Sequence, residues 1–189
     1  MTAGIPFKYT SRRGDEYFLH TRKTKTGKDR FYVALKSDGT LLDEVPPGYE
    51  IYENPHARVF LRKQLVSLLT DEEVRAVHDG MAKFSGLKDF EYKIDLGKKD
   101  ITIYELVDQF HDLMMKLNPA LAEDENAREQ YAHRHGLFEA MLRFVLVDEN
   151  KRVFHAERFC FLGSIDDWIL IGRAGPIGWL VAEFVKHLG

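Results

Sequence analysis

The tightest constraint on the fold lies in the C-terminal third, where three apolar runs are separated by turn-length breaks. Met141-Leu142-Arg143-Phe144-Val145-Leu146-Val147 is followed by the polar stretch Asp148-Glu149-Asn150-Lys151, and Arg152 to Phe161 returns. Trp168-Ile169-Leu170-Ile171 comes after a Gly163-Ser164 break. Short runs rich in β-branched and aromatic residues, joined by polar turns, are predicted to pair as an antiparallel meander. Gly175-Pro176 then opens a helix with Ile177, Leu180, Val181, Phe184, Val185 and Leu188 on one face. A helical surface that wide and apolar has to lie against a sheet.

The same logic extends upstream. Thr70-Asp71-Glu72-Glu73 carries a capping-box signature, and Val74, Val77 and Met81 follow at helical spacing before Ser85-Gly86. Phe90 to Leu96 alternates apolar and charged residues, the pattern of a half-buried strand. Ile101-Thr102-Ile103-Tyr104 suits a strand or the lead into a helix. Leu106, Val107, Phe110, Leu113, Met114 and Leu117 fall on one helical face, which predicts a helix over 105–117. Asn118-Pro119 starts a further helix, expected to run through the polar segment up to Gly136.

In the N-terminal third, Glu16 to Arg22 and Phe31 to Leu35 flank the polar link Lys23 to Arg30, which predicts a β-hairpin with a basic tip. Tyr49 to Glu53 and Ala57 to Leu61 read as two further strands around Asn54-Pro55. The expectation is therefore an α+β chain. Its antiparallel strands fall in two groups, about 15–62 and 90–172, packed with helices near 70–84, 105–117, 119–135 and 176–188. Whether the groups share a sheet is open at this level. A basic, β-rich N-terminal subdomain over 1–65 and an α+β main body over 66–189 are expected, or one continuous domain.

Charge sharpens that division. Residues 1–36 carry nine Lys/Arg against three Asp/Glu, residues 37–63 three against five, and residues 64–189 fifteen against twenty-two. A basic front on an acidic body points to an anionic partner. Arg22, Lys23, Lys25, Lys28 and Arg30 are the candidate anion- and nucleic-acid-binding residues, because cations can neutralise phosphates and a two-stranded ribbon can enter a major groove. Neighbouring Tyr17, Phe18, Phe31 and Tyr32 could stack on bases, or could belong to the core, with the lysines keeping a sheet edge soluble.

Other candidates are weaker. His155 and Glu157 share a strand face, and Asp167 lies close in sequence to the next strand, so the three could form an acid–base set. Arg173 lies in the strand-to-helix segment Gly172 to Gly178, where an anion could be held, although the run matches no phosphate-loop motif. Glu105, Asp108, His111 and Asp112 would line one face of the expected helix, where carboxylate and imidazole at i, i+3 can share a metal, but no matching Glu-x-x-His motif lies on another helix and the set reads as a solvated face; His133 and His135 would diverge on their helix and do not suit a metal pair. No cofactor and no metal are expected. The lone Cys160 permits no internal disulfide and reads as a core residue. No long apolar run predicts a membrane span, and the first residues lack a leader-like apolar stretch, so a cytoplasmic location is expected.

The leading functional expectation is a non-enzymatic module whose basic hairpin meets nucleic acid or another polyanion. The alternatives are an enzyme or small-ligand binder with a site beside the C-terminal sheet, and a homo-oligomeric adaptor, of which a homodimer is the simplest form.

Overall fold

The computed structural model describes residues 5–107, 109–161 and 166–189. The Gly163-Ser164 break and Asp108 lie outside them. The chain is α+β, with antiparallel strands throughout and a C-terminal helix. It divides into two compact units, residues 1–65 with 133–135, and residues 66–132 with 136–189.

In the first unit β2 (Glu16–Lys23) is the central strand of three, between β1 (Lys8–Thr10) and β3 (Asp29–Ala34). Residues 40–42 continue the β1 side: Thr21 donates to the Thr40 carbonyl at 3.0 Å and Leu42 to the Leu19 carbonyl at 2.9 Å. β4 (Tyr49–Glu53) and β5 (Val59–Lys63) form a separate two-stranded ribbon. Leu19 is wholly buried, and Phe31 meets Tyr49 edge-on at 5.6 Å, tying the three-stranded sheet to the ribbon. Glu53 is the polar anchor of this unit. It accepts from the Tyr9 hydroxyl at 2.9 Å and from the Arg12 backbone N–H at 3.0 and 3.2 Å. The strands expected over 15–62 thus fall in two sheets, and β1 lies ahead of them, too short to show periodicity.

The second unit opens with α1 (Asp71–Phe84), whose Thr70–Glu73 capping box is complete. Its sheet has the order β10-β9-β8-β7-β6, an up-and-down meander of β6 (Tyr92–Leu96), β7 (Asp100–Val107), β8 (Leu137–Asp148), β9 (Val153–Cys160) and β10 (Asp167–Gly175). Among the described residues, the two strand groups of the sequence therefore form separate sheets. α5 (Ile177–Phe184) and a 3-10 turn (Val185–His187) follow. Ile101, Ile103, Leu142, Phe144, Leu146, Phe154 and Ala156 form one face of the sheet, packed against Val77 and Met81 of α1 and Leu180, Val181 and Val185 on the C-terminal side. Each large side chain buried there contributes roughly 1.5–3 kcal/mol. No helix among the described residues is long and apolar enough to cross a membrane.

Two helical expectations are corrected. Residues 105–107 belong to β7, and α2 begins at Gln109 and ends at Leu117. Leu106 and Val107 fit a helical face, but they pair with Phe138 and Leu137 of β8, and tertiary pairing decides a segment that satisfies both periods. The helix expected over 119–135 is broken into α3 (Pro119–Ala122) and α4 (Glu125–His135). Asp124 makes the second start, its carboxylate accepting from the Ala127 N–H at 3.1 Å.

Candidate functional site

The β2–β3 hairpin is held open and rigid by its own turn. Thr24 donates its hydroxyl to the Lys28 carbonyl at 3.0 Å and accepts from the Lys28 N–H at 3.1 Å, and the Gly27 N–H donates to the Thr24 carbonyl at 3.0 Å. Gly27 stands at φ +78°, a conformation that favours glycine. Lys25 and Lys28 are thereby presented from a fixed loop.

Register places the remaining cations. Lys23 lies opposite Asp29 and pairs with it at 2.7 Å, so its charge is satisfied within the hairpin. Arg22 lies directly opposite Arg30. Like charges facing each other across a strand pair destabilise it. Among the described residues, no carboxylate is in ion-pair reach of Arg22, Lys25, Lys28 or Arg30. Arg22, Lys23, Thr24, Lys25 and Arg30 line a concavity of about 340 Å³.

Next to this cluster, Tyr32 stacks on His20 at 5.0 Å between centroids, and the Arg22 guanidinium lies 5.5 Å from the Tyr32 ring. His20 is buried and its Nε2 donates to the Lys36 carbonyl at 2.8 Å, while Nδ1 has no partner. Three of the four aromatics flagged by sequence take different roles. Phe31 turns inward to Tyr49, and Tyr32 supports Arg22. Phe18 lies under Lys8, 5.9 Å from its ring centre, and Lys8 is itself paired with Glu16 at 2.5 Å. Arg12, in the sequence neighbourhood of the cluster, donates to the Pro55 carbonyl at 2.7 Å and serves the packing of its unit; burial lowers its pKa, with Glu53 opposing.

The C-terminal candidates are distributed otherwise. Thr102, Arg143, Glu157 and Leu170 lie side by side across β7 to β10, on the face away from the helices. Glu157 is ion-paired with Arg143, whose guanidinium sits 4.3 Å over the Trp168 ring. His155 faces Val145 on that same side. Asp167 pairs in register with Cys160, which puts it on the opposite face from Glu157. Arg173 is exposed on β10. The structure thus brings His155 and Glu157 to one face and puts Asp167 on the other, while Arg173 lies in the irregular stretch of β10 between Ile171 and Gly175. On the helix-bearing side, a second concavity of about 430 Å³ is lined by Arg158, Phe159, Cys160, Phe161, Ile169 and Ile171.

Glu105 was read as part of a helical stripe, but it is half-buried on β7. Burial raises its pKa, with Arg158 and a hydrogen bond from the Gly189 backbone opposing, and its Oε1 is buried without a partner. Sequence periodicity misassigned the element, so the burial was invisible. Of its expected companions, Asp108 and the side chains of His111 and Asp112 lie outside the described residues. His133 and His135 are exposed in the last turn of α4. No group of three or more metal-ligating side chains occurs among the described residues. No family model, no curated protein and no solved structure matches the chain.

Proposed function

We propose that the chain binds nucleic acid or another polyanion through the β2–β3 hairpin, with Arg22, Lys25, Lys28 and Arg30 taking the anionic groups. The observation that carries this reading is the opposition of Arg22 and Arg30 at a concave surface, with no carboxylate in ion-pair reach of either among the described residues. A phosphate seated between two guanidiniums converts a repulsive pair into two charge-assisted contacts. The Thr24-clamped turn supports it further, because a preorganised loop loses little entropy on binding. Tyr32, already under Arg22, offers a neighbouring ring for a base.

The test is fluorescence anisotropy of the full chain with labelled single- and double-stranded oligonucleotides, and with heparin, over roughly 50 to 200 mM salt. Four engaged cations predict a log–log salt slope of about −3 to −4 on duplex. Reversal of Lys25, Lys28 and Arg30 to glutamate is expected to abolish binding. Preference for oligonucleotide over heparin identifies nucleic acid, and equal binding identifies a general polyanion site. Absence of binding to either at the lowest salt removes the proposal.

A second reading, a small-ligand site beside the C-terminal sheet, is supported by the 430 Å³ concavity, whose lining is apolar apart from Arg158. Such a site suits an apolar anion. Fatty-acid-like carboxylates should raise the melting temperature of the protein and not of an Arg158→Ala variant; no shift with either would exclude it.

A further inference from the structure

Arg22 and Arg30 converge where a groove that tracks a nucleic-acid backbone would spread its cations. They form one register pair of the β2–β3 hairpin, and both line the concavity of about 340 Å³ together with Lys23, Thr24 and Lys25. Residues directly opposite each other in a strand pair stand about 4.5–5.5 Å apart at their Cβ atoms, so two full charges address one point. Lys25, on the turn clamped by Thr24, adds a third, while Lys23 is answered by Asp29 at 2.7 Å.

A nucleic-acid strand presents its internal charge differently, one unit per phosphodiester at regular intervals. A diester seated between the two arginines carries a single negative charge and two non-bridging oxygens, which leaves part of the positive charge uncompensated. A phosphomonoester carries about −1.5 to −2 at neutral pH and offers three strong acceptor oxygens. Two guanidinium forks and an ammonium can share those three oxygens in charge-assisted contacts.

We propose that this concavity takes the terminal phosphomonoester of a nucleic-acid strand in preference to its internal phosphodiesters. The inference rests on the polyanion reading of the hairpin and narrows it to one chemical group. The volume agrees, because about 340 Å³ lies at the lower end of the range for small-molecule sites, roughly 300–1,000 Å³, and suits one terminal nucleotide better than a track of several. The surroundings favour a nucleic acid as the carrier of that phosphate. Lys28 is exposed on the same turn, outside the lining, where it can meet the next phosphate along the strand. Tyr32, 5.5 Å from the Arg22 guanidinium, supplies a ring for the terminal base. A phosphorylated protein side chain brings neither a second phosphate nor a base.

The test is fluorescence anisotropy of the full chain at roughly 50 mM salt, with short single-stranded oligonucleotides of one sequence, labelled at the far end. They differ only at the other terminus, which carries a hydroxyl, a phosphate, or a phosphate capped as its methyl ester, at the 5′ and the 3′ end in turn. A terminal phosphate is expected to tighten binding at least about tenfold at one of the two ends. The methyl cap removes one charge and one free oxygen, and should bring the affinity back to within about threefold of the hydroxyl form. Arg30→Gln should abolish the preference for phosphate over hydroxyl. A phosphoserine peptide should bind at least about tenfold more weakly than the phosphorylated strand. Hydroxyl, phosphate and capped strands that bind alike at both ends overturn the inference and leave the polyanion reading standing. A preference that survives Arg30→Gln, or one that the capped ester keeps in full, also overturns it, and a phosphopeptide as tight as the strand overturns nucleic acid as the carrier. Binding of none of these probes removes the inference and the polyanion reading together. The capped ester changes only the ligand, so it decides the matter even if Arg30→Gln does not fold.

Discussion

Glu73 does two jobs with one carboxylate. It accepts from the Thr70 N–H at 2.8 Å as half of the capping box, and it receives Arg152 in a two-point contact, Nε at 2.8 Å and Nη2 on the other oxygen. Arg152 also donates to the Leu68 carbonyl at 3.1 Å and stands at φ +51° in the β8–β9 turn. Burial alone would raise the Glu73 pKa, but the hydrogen bonds from Arg152 and Thr70 outweigh it and the net shift is downward. A carboxylate held below its unfolded value stabilises the fold fully above that value, about 4.3, and the contribution is lost as pH falls through the folded pKa. Glu73→Gln should cost roughly 2–3 kcal/mol at neutral pH, measured by urea unfolding, and this cost should shrink on acidification. A pH-independent cost would detach the ion pair from stability. Glu105 has the opposite sign. Its raised pKa means that the ionised form burdens the fold above the folded pKa and leaves no burden below the unfolded one. Glu105→Gln keeps an acceptor for the Gly189 N–H, so it should raise the melting temperature at pH 7 and leave it unchanged in acid; a loss of stability at both would show that the charge is needed. At this scale the sequence was uneven. Thr70 and Glu73 were legible because capping is local, whereas the Arg152 partnership spans 79 residues and has no local signature.

At the scale of elements, the meander and the final helix were readable because period-two and helical patterns there do not overlap. The stretch 105–107 was misread because Leu106 and Val107 satisfy both. For the candidate site, residue types were legible but their opposition was not: Arg22 faces Arg30 only because the turn from Thr24 to Lys28 sets the register. The packing of α1 on α5 gives a prediction that no sequence pattern announces. A Cβ at Gly80 would lie 1.9 Å from Val181 Cγ1 and 3.4 Å from its Cβ, so the two helices cross where α1 has no side chain. Alanine is the better helix former by about 1 kcal/mol, but forcing a methyl into a packed core costs typically 1–3 kcal/mol. Gly80→Ala is therefore expected to destabilise by about 1 kcal/mol or more, with Gly80→Ala/Val181→Ala recovering part of the loss. A more stable Gly80→Ala would mean that the crossing yields easily.

Over the whole molecule, charge is divided unevenly along the chain, and salt tests what that division does. Residues 1–63 carry a net charge of +4, twelve Lys/Arg against eight Asp/Glu, while residues 64–189 carry −7, fifteen against twenty-two. The proposed polyanion surface lies in the basic part and works by releasing counterions, so its affinity should fall about a hundredfold between roughly 50 and 200 mM salt if four cations engage. The acidic part works against that affinity, because a polyanion is repelled by the net charge of residues 64–189, and added salt screens this repulsion as well as the attraction. The short-range contacts of Arg22, Lys25, Lys28 and Arg30 release counterions and dominate the slope. Anisotropy titrations at several salt concentrations check this: an affinity that stays constant over that range would mean that the basic hairpin does not take the anionic groups.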